Sequence, residues 1–85
     1  MGNPIRAYRK RLGLSQPQLA LPLGISHGVL AMWERGEYLP TAARMKVLAK
    51  LMGVGEAELL TGLSAYREGV RRDVVRKLEG AALVA

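Results

Sequence analysis

The chain has 85 residues, no cysteine, one histidine, and 13 Lys+Arg against 7 Asp+Glu, for a formal charge of +6. That is one small domain, or one domain with an arm, and it excludes disulfides, thiolate zinc sites and a cysteine nucleophile. A basic balance on a small chain points to an acidic partner, with nucleic acid ahead of an anionic membrane.

Hydrophobic period and stop signals divide the chain into short helices. Asn3-Pro4 reads as an N-cap followed by proline at the first helical position. Ile5, Tyr8 and Leu12 then share a face, and Gly13 ends the helix. Ser15 caps a second helix with Leu19, Ala20 and Leu23 inward, ended by Gly24. Pro22, inside that helix, predicts an early or distorted end, because it removes an N–H and crowds a carbonyl. Ser26 caps a third helix carrying Val29, Leu30 and Trp33, with Gly36 after its end. Pro40-Thr41 opens a fourth, with Met45, Leu48, Ala49 and Met52 inward before Gly53. Gly55 to Thr61 reads as a short fifth helix, and Ser64 as the cap of a sixth ending near Leu78 or Glu79. No stretch alternates with period two, so no sheet is expected.

Charge is unevenly placed. Residues 1–14 carry four basic residues and no acid, residues 15–63 balance four against four, and residues 64–85 carry five against three. The longest apolar runs are far too short for a bilayer. The N-terminus has no signal-peptide h-region and no myristoylation pattern. A cytoplasmic protein is expected, without cofactor or metal and without enzymatic activity. A lone histidine with no cysteine is not a metal ligand, and no nucleophile and base stand at a catalytic spacing.

Two short helices joined by Gly24-Ile25-Ser26 have the spacing of a helix-turn-helix. Alone, that pattern is common in small bundles. The longer string is more specific: Arg9-x-x-x-Gly13-Leu14-Ser15-Gln16-x-x-Leu19-Ala20-x-x-Leu23-Gly24-Ile25-Ser26, then Trp33-Glu34-Arg35-Gly36 and Pro40. With Leu48-Ala49, Met52-Gly53-Val54 and Glu58-Leu59-Leu60, it resembles the Cro/repressor (XRE) helix-turn-helix family over residues 5–62. The resemblance implies an all-α, five-helix DNA-binding domain, to which a C-terminal sixth helix is added here. Residues 1–62 would be that domain, and residues 63–85 a C-terminal helix and apolar tail serving dimerisation, with Leu63-Ser64 as the joint.

The resemblance also implies roles. Ser26, His27, Gly28, Val29 and Met32 would face base edges from the third helix in the major groove. Ser15, Gln16, Arg35, Tyr38 and Thr41 would lie on phosphates. Arg9 and Glu34 would be a structural ion pair, and Leu30 and Trp33 core. The base-facing set is short of the Gln, Asn, Arg and Lys that usually read bases. His27 can donate to guanine, while Val29 and Met32 can touch only thymine methyls. Readout through methyl contacts and DNA shape is expected. Without the motif, His27 is a plain surface histidine, and Val29 and Met32 are packing residues or an apolar patch.

Outside the resemblance, Tyr66, Val70, Val74 and Leu78 recur every four residues and make an apolar stripe. The stripe docks on its own core, meets a second copy, or belongs to a phosphate-binding or partner-binding arm; a homodimer on a double-stranded operator is the favoured reading. A membrane-surface role is disfavoured, since this helix mixes acids with bases and lacks a Trp/Phe/Leu-rich face. Ala82 to Ala85 is similar to the end of bacterial degradation tags, or is a plain frayed terminus. The reading is a sequence-specific transcriptional regulator of the phage or prokaryotic repressor type. The alternative is a protein-binding adaptor, antitoxin or polymerase-associated factor built on the same fold.

Overall fold

The computed structural model describes the backbone of residues 2–84 and the side chains of residues 2–81. The described residues form helices and connecting turns: α1 (Pro4–Arg11), α2 (Gln16–Leu23), α3 (His27–Glu34), α4 (Ala42–Met52) and α5 (Glu56–Val84).

The first four helices begin at the expected caps. Asn3 Oδ1 accepts from the N–H groups of Ile5 and Arg6 at 3.0 and 3.1 Å. Ser15 Oγ accepts from Gln18 N–H while Gln18 Oε1 accepts from Ser15 N–H, which closes a reciprocal capping box. Ser26 and Thr41 hydroxyls accept from the N–H groups of Val29 and Arg44. Each cap satisfies a donor that the helix itself cannot, and is worth ~1 kcal/mol.

α2 leaves through Gly24, at φ 67° and ψ 30°. In that left-handed conformation Gly24 N–H donates to Leu21 O and Ile25 N–H to Ala20 O, at 3.1 and 3.3 Å. The chain then turns into α3 within three residues. Ile25 drops onto the core, half-buried. Pro22 does not shorten the helix, which runs to Leu23. Pro22 is exposed, and the Arg44 guanidinium from α4 donates to Leu23 O, so a carbonyl at this end is satisfied by a side chain.

The core gathers Ile5, Leu19, Ala20, Leu23, Leu30, Trp33, Met45, Leu48, Ala49, Leu59 and Leu63, drawn from all five helices. α3 packs on α1 and α2, and α5 packs on α1 and α4. Leu12, expected inward on α1, is 52 % exposed. The helix ends at Arg11, and Leu12 belongs to the turn that follows it.

The expected fifth and sixth helices are one. α5 runs unbroken for 29 residues, and Ser64, expected as a cap, lies within it. The reason is packing. Leu59 and Leu63 are both buried, so the helix is still seated on the core where a joint was expected. At Gly62 the Pro4 ring lies 3.0 Å from where a Cβ would stand, so α1 and α5 meet closely at that residue. No proline follows Pro40, and the three glycines within α5 weaken it by only ~1 kcal/mol each. At 1.5 Å per residue the helix is ~43 Å long, close to the 47 Å long dimension of the molecule. From Arg71 to Ala81 every residue is exposed. Among the described residues no helix is long and apolar enough to cross a membrane. The side chains of Ala82 to Ala85, the tag-like end, lie outside the described residues.

Candidate nucleic-acid interface

α3 divides into two sides. Leu30, Ala31, Trp33 and Glu34 are buried, while Ser26, His27 and Gly28 at its start are exposed. Met32, one turn on from Gly28, is half-buried. Val29 is also half-buried and packs against the core, so it is in part a packing residue. The apolar patch on this face is therefore smaller than the sequence suggests.

The phosphate candidates stand around α3. Ser15 and Thr41 are exposed and cap α2 and α4, whose opening N–H groups make those ends attractive to anions. Tyr38 is 61 % exposed in the loop after α3. Arg35 closes α3, and its guanidinium is held by Glu37 through Nε and Nη2 at 2.9 and 2.6 Å. Both partners are exposed, so this pair is weak and can open toward a phosphate. Gln16 is half-buried and donates from Nε2 to Glu34 Oε1 at 3.4 Å, so its amide rests against the ion pair below.

That pair ties the interface together. Arg9 from α1 donates through Nε and Nη2 to the two Glu34 oxygens, each at 2.8 Å. Its Nη1 donates to Leu14 O in the α1–α2 turn at 2.9 Å. The side chains are 11 % and 3 % exposed. The hydrogen-bonded Glu34 carboxylate raises the Arg9 pKa above its ordinary value, against the opposite pull of burial. One carboxylate on α3 thereby fixes α1, the α1–α2 turn and the start of α2. A second tie was not visible in the sequence: Asn3 Nδ2 donates to Trp33 O at 2.8 Å, so the residue that caps α1 also fastens the end of α3.

The expected dimer stripe is divided by the fold. Tyr66 and Val70 are half-buried, and the Tyr66 ring lies 3.1 Å from where a Cβ at Gly36 would stand. Gly36 is itself buried, at φ 75°. Val74 and Leu78 are 51 % and 65 % exposed, with Val75 beside them at 44 %. Among the described residues no group of His, Cys, Asp and Glu could hold a metal ion.

Two residues outside the expected phosphate set stand beside it, Tyr66 having been assigned to the apolar stripe. Arg6 and Tyr66 line a cleft with Arg9, Gln16, Glu34 and Arg35. Arg6 was accessible to sequence reasoning, since it stands three residues before Arg9 and hence near it on the helix. Tyr66 was not, because only the tertiary fold brings it to the end of α3.

A helix-turn-helix held on a buried Arg–Glu pair, with capped helix starts around an exposed recognition end, defines a class of protein. The helix-turn-helix family model matches residues 5–59. The chain belongs to the Cro/repressor-type (XRE) helix-turn-helix family of DNA-binding domains. It is 41% identical over 58 residues to the uncharacterized HTH-type transcriptional regulator YazB of Bacillus subtilis, covering 68% of this chain and 84% of that one. It is 36% identical over 62 residues to repressor protein C2 of Salmonella phage P22, covering 73% of this chain and 29% of that one. It is 37% identical over 62 residues to the HTH-type transcriptional regulator DicA of Escherichia coli, covering 73% of this chain and 46% of that one. The chain thus spans less than half the length of the last two. No solved structure gives a significant match.

Proposed function

We propose that this protein is a transcriptional regulator of the repressor type that binds an operator in duplex DNA, with α3 in the major groove. The observation that carries the reading is the two-sidedness of α3. Its buried side locks it to α1 and α2, while Ser26, His27 and Gly28 stay exposed at the end that would meet the bases. Gln16, Arg35, Tyr38 and the caps Ser15 and Thr41 stand where backbone phosphates would flank that helix. The +6 charge supplies the long-range attraction. Val29 and Met32 reach thymine methyls with what their half-burial leaves free. The partial burial of Val29 also weakens the case for a protein-binding face. The core, which includes Leu63, would carry DNA binding, and the exposed stretch of α5 from Arg71 self-association, through the outer end of the stripe. The regulator would act in the cytoplasm and needs no cofactor.

Selection of bound sequences from a random duplex pool tests this, with half-sites read from the winners. His27→Ala is expected to relax preference at one base pair by ~1–3 kcal/mol. Arg35→Ala and Gln16→Ala should instead weaken all sequences about equally, since phosphates carry no sequence information. A uniform loss for His27→Ala removes it from the base-reading set. An unenriched pool removes sequence-specific binding.

A further inference from the structure

We propose that the cleft between α1, the start of α2, the end of α3 and Tyr66 of α5 holds one phosphodiester of the DNA backbone, and that Arg6 and Tyr66 complete it. This rests on the DNA-binding reading above and extends the contact surface to the first and last helices.

The cleft has a volume of about 170 Å³ and is lined by Arg6, Arg9, Gln16, Glu34, Arg35 and Tyr66. At ~30 Å³ per water, that is room for a phosphate group with its ester oxygens. Three arginines and one glutamate are among its lining residues. Glu34 is already engaged by Arg9 through both of its oxygens, so it neutralises neither of the other two. Arg35 is held only by the exposed Glu37. Arg6 is exposed and has no carboxylate within ion-pair distance among the described residues. It plays no part in the core, so its charge is free to meet an anion.

Tyr66 is the lining residue that α5 contributes. Its ring is seated against buried Gly36, the residue after Arg35, which fixes where the ring stands. Tyr8 uses its hydroxyl to donate to Leu51 O, whereas the hydroxyl of half-buried Tyr66 makes no hydrogen bond among the described residues. It is available to donate to a bound anion. A cleft with one unpaired guanidinium, a second held only by an exposed carboxylate, an amide and a hydroxyl suits the oxygens of a phosphate. Gln16 and Arg35 border the recognition helix, so the phosphate is one of the strand that α3 reads, not a free anion.

Binding of the full chain to random-sequence duplex is measured by fluorescence anisotropy across a salt series, with circular dichroism to confirm folding. Arg6→Gln should weaken binding several-fold at low salt and make the slope of log K against log salt shallower by about 0.9. Tyr66→Phe keeps the ring on Gly36 and removes only the hydroxyl. It should weaken binding about 10–150-fold with the slope unchanged, the loss of one hydrogen bond to a charged group. Lys77→Gln, on the exposed end of α5, controls for net charge and should leave the slope unaltered. A wild-type slope for Arg6→Gln together with wild-type affinity for Tyr66→Phe overturns the proposal and leaves the DNA-binding reading standing. An equal slope change in Lys77→Gln also overturns it, since the effect would be diffuse charge. Absence of duplex binding by the wild type at low salt overturns both. Thermal stabilisation of the wild type by millimolar inorganic phosphate, lost in Arg6→Gln without any change in DNA slope, assigns the cleft to a free anion and overturns the proposal.

Discussion

Glu34→Ala is expected to destabilise the fold by ~3–5 kcal/mol. The carboxylate is almost wholly buried and accepts from both Arg9 Nε and Nη2. Its removal leaves a guanidinium in a site only 11 % exposed, with Leu14 O as its one remaining partner. A permanent cation there cannot neutralise itself, so the chain must admit water or open the α1–α3 contact. A domain of 85 residues has a total stability of ~4–13 kcal/mol, so the loss is a large share of the whole. The midpoint of thermal unfolding should fall by ~4–8 °C for each kcal/mol. Arg9→Met combined with Glu34→Leu should recover most of the loss, because buried charge pairs replaced by apolar groups are often near neutral. The recovery stops short of complete, since Leu14 O loses its donor and Gln16 its acceptor. Denaturant unfolding of the two variants checks this. A loss below ~1 kcal/mol for Glu34→Ala would mean that the pair behaves as an exposed one.

The same pair marks what could be read from the sequence and what could not. Helix starts were legible because Asn3, Ser15, Ser26 and Thr41 act on N–H groups two or three residues away, within the reach of local chemistry. The inward faces of α2 and α4 were legible because their apolar residues keep a helical period. Leu12 was misplaced because the period carries no information on where a helix ends. The joint at Leu63-Ser64 was misplaced for a related reason. A serine after a leucine is a good cap only if the chain turns there, and the burial of Leu63 against α1 and α4 decides that it does not. Long-range ties had no local signal at all. Asn3 to Trp33, Arg44 to Leu23 and Tyr66 to Gly36 each join residues more than 20 apart in the chain. The Arg9–Glu34 pair is as distant, and it was found only because a family resemblance supplied it.

Val74→Asp is expected to abolish self-association and to reduce operator affinity by about 10²–10⁴-fold. Val74 is half-exposed on a stretch of α5 that the core does not cover, with Val75 and Leu78 beside it. Three aliphatic side chains grouped on a helix that stands clear of its own domain gain nothing from folding. In the proposed dimer they would meet the same patch on a second copy, the self-complementary contact of a two-fold assembly. Tyr66 and Val70 take no equal part, since their half-burial is already against their own chain. The substitution therefore sits at the outer end of the stripe, where a carboxylate meets its symmetry mate across an apolar contact. The monomer should keep its fold, because no core residue touches this end of the helix. The loss of affinity follows from geometry. A dimer reads two half-sites about 34–36 Å apart on one face of the duplex, and the second contact is made at high effective concentration. A monomer must bind each half-site alone. Analytical ultracentrifugation of the wild type and Val74→Asp over a concentration series reads the association directly, and operator titration with the same samples reads the affinity. An equally dimeric Val74→Asp places the interface elsewhere on the molecule. A monomeric wild type with unaltered operator affinity in the variant removes the dimer from the account.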